Sequence, residues 1–148
     1  MKIFILYLIY SLFFSLAPNS IWGACMFKNF SQLKTKPSQS SGQSWAARKY
    51  MPLSIKKEHG KWIQVKDYKG LRHWIKKSFL TNKFKCAIVM SNHANARSGP
   101  GLNYNQTPIS PLTKYTTGKV IDTKKMWVKL IDQNNKKFWV YRGLVWIN

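Results

Sequence analysis

Acidic side chains are the scarcest feature of this sequence. Its 148 residues include 25 lysines and arginines but only four carboxylates, Glu58, Asp67, Asp122 and Asp132, so the formal net charge is +21. Because the chain cannot neutralise itself, a partner is expected to be acidic: nucleic acid, anionic lipid, a wall polymer or an acidic protein. The alternative is that the charge only keeps the protein soluble. Most of the cations are lysines, which act as point charges and favour diffuse adhesion to anionic surfaces over specific, bidentate recognition of one ligand group.

Cysteine is nearly as rare. Cys25 and Cys86 are the two in the chain, and they form no C-x-x-C pair and no metal-binding spacing with His59, His73 or His93. No metal site is therefore predicted. In an oxidising compartment the cysteines would pair and stabilise the fold by about 4 kcal/mol. Two free thiols, or a lipid on Cys25 after the weak "WGAC" box, are the alternatives.

The groups that catalysis needs are also sparse. Acid–base hydrolysis requires two suitably placed carboxylates, and a cysteine nucleophile requires a histidine partner. Cys86 and His93 lie seven residues apart in a predicted linker, which is a weak arrangement, and no glycine-rich phosphate loop occurs. The sequence therefore predicts a protein that is not an enzyme and has no cofactor.

The N-terminus differs from the rest of the chain. "MKIFILYLIYSLFFSLAPNSIWGAC" has one cation, Lys2, then an apolar run over residues 3–17 and a region of small residues. This pattern predicts a signal peptide over residues 1–24, cleaved after Gly23 or Ala24, and an exported, periplasmic or secreted protein without a transmembrane span after its removal. An uncleaved membrane anchor is the alternative.

Two later segments, residues 45–80 and 110–145, superimpose without a gap at a constant offset of 65 residues. The spacing of the two tryptophans in each copy is the same, and chance is a poor explanation for that. The coincident pairs are Tyr50 and Tyr115, Trp62 and Trp127, Asp67 and Asp132, and Trp74 and Trp139. The repeat predicts a first domain over 28–82, a linker over 83–92 and a second domain over 93–148.

Each copy has the pattern of strands. "KWIQVKDY" and "RHWIKKSFL" in the first copy, and "MWVKLID" and "KFWVYRGLV" in the second, alternate apolar and polar residues at period two. Turn-forming residues separate the members of each pair, which predicts hairpins, and Asp67 and Asp132 are assigned to these turns. Trp74 and Trp139 are predicted to pack in the core. The fold class is therefore all-β, with small closed or nearly closed barrels.

The stretch "NARSGPG", followed by a long polar loop and the "W-x-K-[VL]" and "x-W-V" strands, resembles the bacterial SH3-like domain family, in its exported tandem-domain branch. The resemblance implies two tandem SH3-like β-barrels. It makes Ser98, Gly99, Pro100 and Gly101 a structural corner, in which glycine can adopt positive φ and proline fixes its own. The first copy departs from this motif, since its corner reads "LKTKPSQSSGQSW".

The resemblance also implies a ligand groove between the first long loop and the hairpin. Trp62 and Trp127 are the predicted platforms, and aromatic faces suit sugars, prolines and cations. The further candidates for this groove are Tyr50, Tyr104 and Tyr115. Arg97 is a candidate for binding a carboxylate, with bracing of the loop carbonyls as its alternative.

These features predict an exported, non-catalytic binding module for an envelope ligand, either a peptidoglycan peptide or an envelope protein. One alternative is a secreted effector-type protein that binds a host or other extracellular partner. Another is a basic nucleic-acid-binding barrel, since cations interleaved with aromatics are typical of such proteins. Export argues against nucleic acid as the partner.

Overall fold

The computed structural model describes residues 23–148, so the predicted signal peptide, residues 1–24, lies almost wholly outside the described residues. The described chain is all-β, as predicted: it forms two sheets and no α-helix. Two single-turn 3₁₀ segments, Lys77–Phe79 and Arg142–Leu144, precede the last strand of each sheet. No helix within residues 23–148 has the length and apolarity needed to cross a membrane.

Seven short strands form the first sheet, and together they are called the first unit. They are β1 (Gly23–Met26), β2 (Phe30–Lys34), β3 (Gln43–Arg48), β4 (Pro52–His59), β5 (Trp62–Lys66), β6 (Arg72–Lys76) and β7 (Leu80–Thr81). Their spatial order is β3-β2-β6-β5-β4-β1-β7. The period-two pattern of β5 turns Ile63 and Val65 into the core, where Ile75 of β6 is the direct partner of Ile63.

Five strands form the second sheet, the second unit. They are β8 (Cys86–Val89), β9 (Thr117–Lys124), β10 (Trp127–Ile131), β11 (Lys137–Tyr141) and β12 (Val145–Ile147). Their spatial order is β11-β10-β9-β8-β12. Val128 and Leu130 of β10 point into the second core and lie opposite Val140 and Phe138 of β11.

The two units use corresponding strand pairings. Gln64 pairs with Trp74 in the first hairpin, and Lys129 pairs with Trp139 in the second. The same tryptophans are also bridged from their other side, Trp74 by Lys34 and Trp139 by Arg97. In the second unit this bridge comes from the segment 94–112, which is anchored by isolated bridges instead of two full strands.

The predicted linker over 83–92 contains a strand, since β8 belongs to the second sheet and pairs with both β9 and β12. The first sheet likewise includes Gly23–Met26, upstream of the predicted boundary at residue 28. Both strands are short and almost fully buried, "GACM" and "CAIV". A strand buried on both faces has no polar alternation, so a period-two search passes over it.

The units are joined by a covalent bond and by packing. Cys25 of β1 and Cys86 of β8 form a disulfide with a Cα–Cα distance of 5.9 Å. The hydroxyl of Thr117 donates a hydrogen bond to the carbonyl of Lys49, at 2.6 Å. Ile88 and Trp146 of the second unit pack in the core of the first. The relative placement of the two units is therefore fixed by several independent contacts.

Candidate functional site

The first unit carries an aromatic groove at Trp62, which we call the Trp62 groove. Its volume is about 270 Å³. Trp62 opens strand β5 and is half-buried, while Phe79 comes from the 3₁₀ turn before β7. The residues that line the groove are Phe30, Ser31, Gln32, Lys34, Gln39, Trp62, Lys76 and Phe79. The groove thus combines three aromatic rings with two lysines.

The ammonium groups of the two lysines in this groove have different contacts. Lys34 is buried, and its ammonium group donates a hydrogen bond to the carbonyl of Ser41, at 3.2 Å. The Lys76 ammonium lies 6.0 Å from the centre of the Phe79 ring, in the range of a cation–π contact. Lys76 is therefore the cation of the groove that is better placed to meet a ligand.

Trp127 has a different neighbour from Trp62. Tyr141 occupies the position that corresponds to Lys76, and its ring meets Trp127 edge-on with centroids 5.8 Å apart. Edge-on aromatic pairs are favourable contacts in themselves. The predicted platform of the second unit thus packs against a tyrosine where the first unit has a lysine.

The Arg97 side chain braces the loop that follows it. Its guanidinium donates to the carbonyls of Leu102, at 3.2 Å, and Tyr104, at 2.7 Å. Its backbone also exchanges two hydrogen bonds with Trp139, each of 2.8 Å. Lys34 makes the corresponding contact with a loop carbonyl in the first unit. In each unit, the cation before the loop donates hydrogen bonds to carbonyls of that loop. For Arg97 this is the bracing role that was given as the alternative.

Packing accounts for the first glycine of the Gly-Pro-Gly corner, whereas the second approaches only the end of an exposed side chain. A Cβ atom placed on Gly99 would lie 2.1 Å from Cδ1 of the Tyr104 ring, and one on Gly101 would lie 2.5 Å from the side-chain oxygen of Asn103. The expectation of positive φ at these glycines is wrong, because the described glycines with positive φ are Gly60 and Gly70. Tyr104 closes over the corner, so its ring supports the loop.

Ser98 and Pro100, the other two residues of the corner, contribute through the backbone of the loop. The Ser98 amide donates to the Asn105 carbonyl, at 2.9 Å, and Pro100 is half-buried between the two glycines. The Ser98–Asn105 bond joins the two arms of the loop beside Arg97.

Tyr50 and Tyr115 occupy corresponding positions and share an unusual backbone. Their φ angles are 64° and 71°, in the left-handed region, and their amides donate to the carbonyls of Met26 and Val89. Their side chains have different surroundings. Tyr50 meets Phe84 edge-on with centroids 5.9 Å apart, whereas Tyr115 lies where the two units meet.

A larger cleft, the inter-unit cleft, lies between the two units and has a volume of about 530 Å³. Both units contribute to it: the first through the end of β3, the second through the segment before β9. The residues that line it are Trp45, Ala46, Arg48, Met51, Ile88, Thr113, Lys114, Tyr115, Thr116 and Thr117. Tyr115 is the only one of these residues that was predicted to line a ligand site.

Tyr115 stands beside a second tyrosine. Its ring centre is 5.4 Å from that of Tyr68, whose buried hydroxyl has no hydrogen-bond partner of ordinary geometry within residues 23–148. Burial is the main cause that raises the pKa of Tyr68. The nearby Tyr68 hydroxyl, and then the ammonium groups of Lys114 and Lys69, lower the pKa of Tyr115. The ammonium groups of Lys114 and Lys69 lie 5.2 and 6.0 Å from the centre of the Tyr115 ring, so this edge of the cleft carries two cations.

A polar relay in the first unit, buried at Asp67 and His73 and reaching the exposed Ser44, was not among the predicted features. Nε2 of His73 lies 3.1 Å from a carboxylate oxygen of Asp67, and Nδ1 lies 2.8 Å from the hydroxyl of Ser44. The second unit has the apolar residues Ile109 and Phe138 at the positions of Ser44 and His73. The relay ties β3 to the β5–β6 hairpin, and a comparison of the two copies at these positions is the signal that could have found it.

Asp67 and Asp132 hold the turns of their hairpins, as predicted. One oxygen of Asp67 accepts from the amides of Lys69 and Leu71, at 2.8 and 2.9 Å. The corresponding oxygen of Asp132 accepts from Asn134 and Lys136, each at 2.8 Å. No group of three metal-ligating side chains occurs within residues 23–148.

Comparison with known families identifies the first unit. Residues 32–81, which run from within β2 to the end of β7 and include all of the residues lining the Trp62 groove except Phe30 and Ser31, match the model of the bacterial SH3 domain. This segment is a bacterial SH3 domain. The Trp62 groove is therefore a groove of an SH3 domain, between its first long loop and the strand that Trp62 opens.

Two solved structures resemble the chain at low identity. One is an NlpC/P60 family protein from Bacillus cereus ATCC 10987, with 11% identity, 85% of this chain and 56% of that chain covered, and a TM-score of 0.40. The other is NlpC1 from Trichomonas vaginalis, with 10% identity, 88% and 47% coverage, and a TM-score of 0.36. The chain spans about half the length of these two structures. No curated protein matches it.

The predicted site residues thus do not form one site. Trp62 lies in the groove of the SH3 domain and Tyr115 in the inter-unit cleft. Trp127, Tyr104 and Arg97 pack or brace within the second unit. Phe30 and Phe79 of the SH3 groove were not singled out because nothing in their sequence pattern separates a lining residue from a core residue.

Proposed function

We propose that this protein is an exported, non-catalytic binding module that recognises a ligand of the bacterial cell envelope, either a peptidoglycan peptide or an envelope protein. The observation that carries the proposal is the Trp62 groove, an open aromatic groove on a segment that matches the bacterial SH3 domain. The second unit, with its corresponding strand order, is proposed to be a second SH3-like barrel in tandem with the first.

The chemistry of the groove supports a peptide ligand. Trp62, Phe30 and Phe79 supply apolar faces for aliphatic side chains or sugar rings. Lys76 supplies a charge for a carboxylate, since Lys34 is bound to a loop carbonyl. A short peptide with a free carboxylate and small aliphatic side chains satisfies both features. Peptidoglycan stem peptides belong to this class.

The whole-chain charge supports location at an anionic surface. The net charge of +21 attracts the protein to acidic polymers at a distance, and this attraction weakens as salt screens it. The groove is proposed to add a short-range contact that salt affects less. Export rests on the N-terminal pattern of the sequence.

Co-sedimentation of the purified protein with isolated sacculi tests the proposal, with a salt titration and a Trp62→Ala variant. Binding is expected to persist at about 0.5 M salt, where charges are screened within a few ångströms, and to be lost in Trp62→Ala. Trp127→Ala is the matched control, because Trp127 packs against Tyr141, and it is expected to bind normally. Binding that disappears with salt and ignores Trp62 would be charge attraction alone and would refute the proposal.

A further inference from the structure

We propose that the inter-unit cleft is a second binding site, independent of the Trp62 groove, for a short acidic peptide segment that places a carboxylate on Arg48 and Lys114 and an apolar side chain on Trp45. The cleft has a volume of about 530 Å³, which is within the range of sites that enclose small ligands or a few peptide residues. The proposal concerns the surface between the units and does not require the SH3 groove to function.

The floor of the cleft is apolar and belongs to a packed core. Met51 and Ile88 are buried, with 3% and 1% of their surfaces exposed, and Trp45 is half-buried beside them. Ile88 also packs in the core of the first unit. An apolar side chain entering the cleft therefore meets a surface that is already formed, which lowers the entropic cost of binding.

The rim of the cleft is cationic. Arg48 is exposed at the end of β3, and Lys114 stands opposite, on the segment before β9. The carboxylate–cation pairs within residues 23–148 are Asp67 with His73 and Glu58 with Lys77, so no described carboxylate neutralises Arg48 or Lys114. An arginine fork is suited to a carboxylate of a ligand.

Two neighbouring features favour an extended acidic ligand over a single anion. Thr113, Thr116 and Thr117 line the same wall. The Thr116 and Thr117 hydroxyls already donate to the carbonyls of Thr113 and Lys49, so they offer acceptor oxygens to the amides of a peptide backbone, and the Thr113 hydroxyl can also donate. A smaller pocket of about 190 Å³ continues from Arg48 toward the turn at Asp132. The carboxylate of Asp132 is engaged by two backbone amides of its own turn.

The two walls are held in place by bonds outside the cleft. The Cys25–Cys86 disulfide joins β1 to β8. The Thr117 hydroxyl, on one wall, donates to the carbonyl of Lys49, next to Arg48 on the other. A ligand that bridges Arg48 and Lys114 would therefore contact both units without moving them.

NMR titration of the ¹⁵N-labelled protein tests the proposal with two synthetic probes. The acidic probe is acetyl-Leu-Glu-Phe-Glu with a free C-terminus, and the neutral probe is acetyl-Leu-Gln-Phe-Gln amide. The acidic probe is expected to shift amides of residues 45–51 and 113–117 saturably at about 0.15 M salt. The neutral probe is expected to bind about tenfold more weakly or not at all.

Charge-matched variants separate the site from the field of the whole protein. Arg48→Gln combined with Lys114→Gln should weaken binding of the acidic probe by about tenfold or more, since charge-assisted hydrogen bonds are lost. The control, Lys61→Gln with Lys124→Gln, removes the same charge from two exposed lysines at hairpin ends outside the cleft. The control should bind as the parent protein does.

Several outcomes would overturn the proposal. Equal weakening in both double variants would mean diffuse charge attraction, and absence of saturable shifts would mean no peptide site. Shifts centred on Trp62 would place peptide binding in the SH3 groove and would support only the proposed function. Conversely, sacculus binding that fails in Trp62→Ala, with the cleft shifts retained, would show that the two sites are separate.

Discussion

Gly99 lies directly beneath the ring of Tyr104, and this contact explains the Gly-Pro-Gly corner at the scale of single residues. A Cβ there would meet ring atoms at 2.1, 2.3 and 2.4 Å, so any other residue must push the ring away. The corner was predicted from the sequence, but its glycines were explained by the positive φ angles that glycine can adopt. A sequence shows that a glycine is present; it does not show which neighbour approaches it, because that neighbour is chosen by the folded loop.

Gly99→Ala is expected to destabilise the protein by about 1 kcal/mol, at the low end for overpacking, because the new Cβ must displace a Tyr104 ring that is 42% exposed and can move toward solvent. Gly42→Ala is the matched control, since its Cβ would meet nothing closer than 3.7 Å. Chemical denaturation of both variants measures the difference. Removing the ring in Gly99→Ala/Tyr104→Ala should relieve part of the cost, and a double variant that is merely additive would contradict the contact.

The difference between Tyr50 and Tyr115 also belongs to the residue scale. Repeat comparison placed them at the same position, and the shared left-handed backbone agrees with that. Their surroundings differ, because Tyr50 meets Phe84 of its connecting segment while Tyr115 meets Tyr68 of the other unit. Equivalence within a repeat predicts backbone geometry, but contacts between repeats break the symmetry of the side chains.

At the scale of elements, the hairpins were predictable and the buried strands were not. β5, β6, β10 and β11 alternate apolar and polar residues and have turn-formers between them, so their pattern specifies both strand type and buried face. β1 and β8 are four-residue strands with almost no exposed position. Their sequences are compatible with any buried segment, and only the pairing partners in the sheet define them.

The carboxylate of Asp67 bonds both the turn of the β5–β6 hairpin and a buried histidine, whereas the carboxylate of Asp132 bonds only the turn of the β10–β11 hairpin. Asp67 and Asp132 each accept two turn amides, but Asp67 is buried and also contacts His73. Asp67→Ala should therefore cost about 3 kcal/mol, since it leaves buried His73 without this partner. Asp132→Ala should cost only about 1 kcal/mol.

Urea denaturation of the two aspartate variants checks this difference. A third variant, His73→Phe, copies the residue that the second unit has at the corresponding position. It should also destabilise, because Asp67 then loses its partner in a buried place, whereas the exposed Ser44 can bond to water instead. Equal costs for Asp67→Ala and Asp132→Ala would mean that the relay contributes nothing beyond the turn.

At the scale of the whole molecule, the site and the stability both depend on how the two units meet. The sequence predicted two domains and a connecting linker, and that view hid the inter-unit cleft. Trp45 and Arg48 have no ligand-binding pattern of their own, and they become a wall only because the segment 113–117 lies opposite. Such a surface arises only from the way the two units pack together. The period-two pattern of apolar residues within one unit carries no information about that packing.

The same junction predicts that the two units unfold together. Ile88 and Trp146 of the second unit complete the core of the first, so loss of either unit exposes apolar surface of the other. Replacing both cysteines, Cys25→Ala with Cys86→Ala, should lower the free energy of unfolding by about 4 kcal/mol. Residue-resolved NMR during urea denaturation should show the midpoints of both units falling by the same amount. A second unit whose midpoint stays unchanged would mean that the contacts at the junction do not couple the units, and that the walls of the inter-unit cleft are held by the disulfide alone.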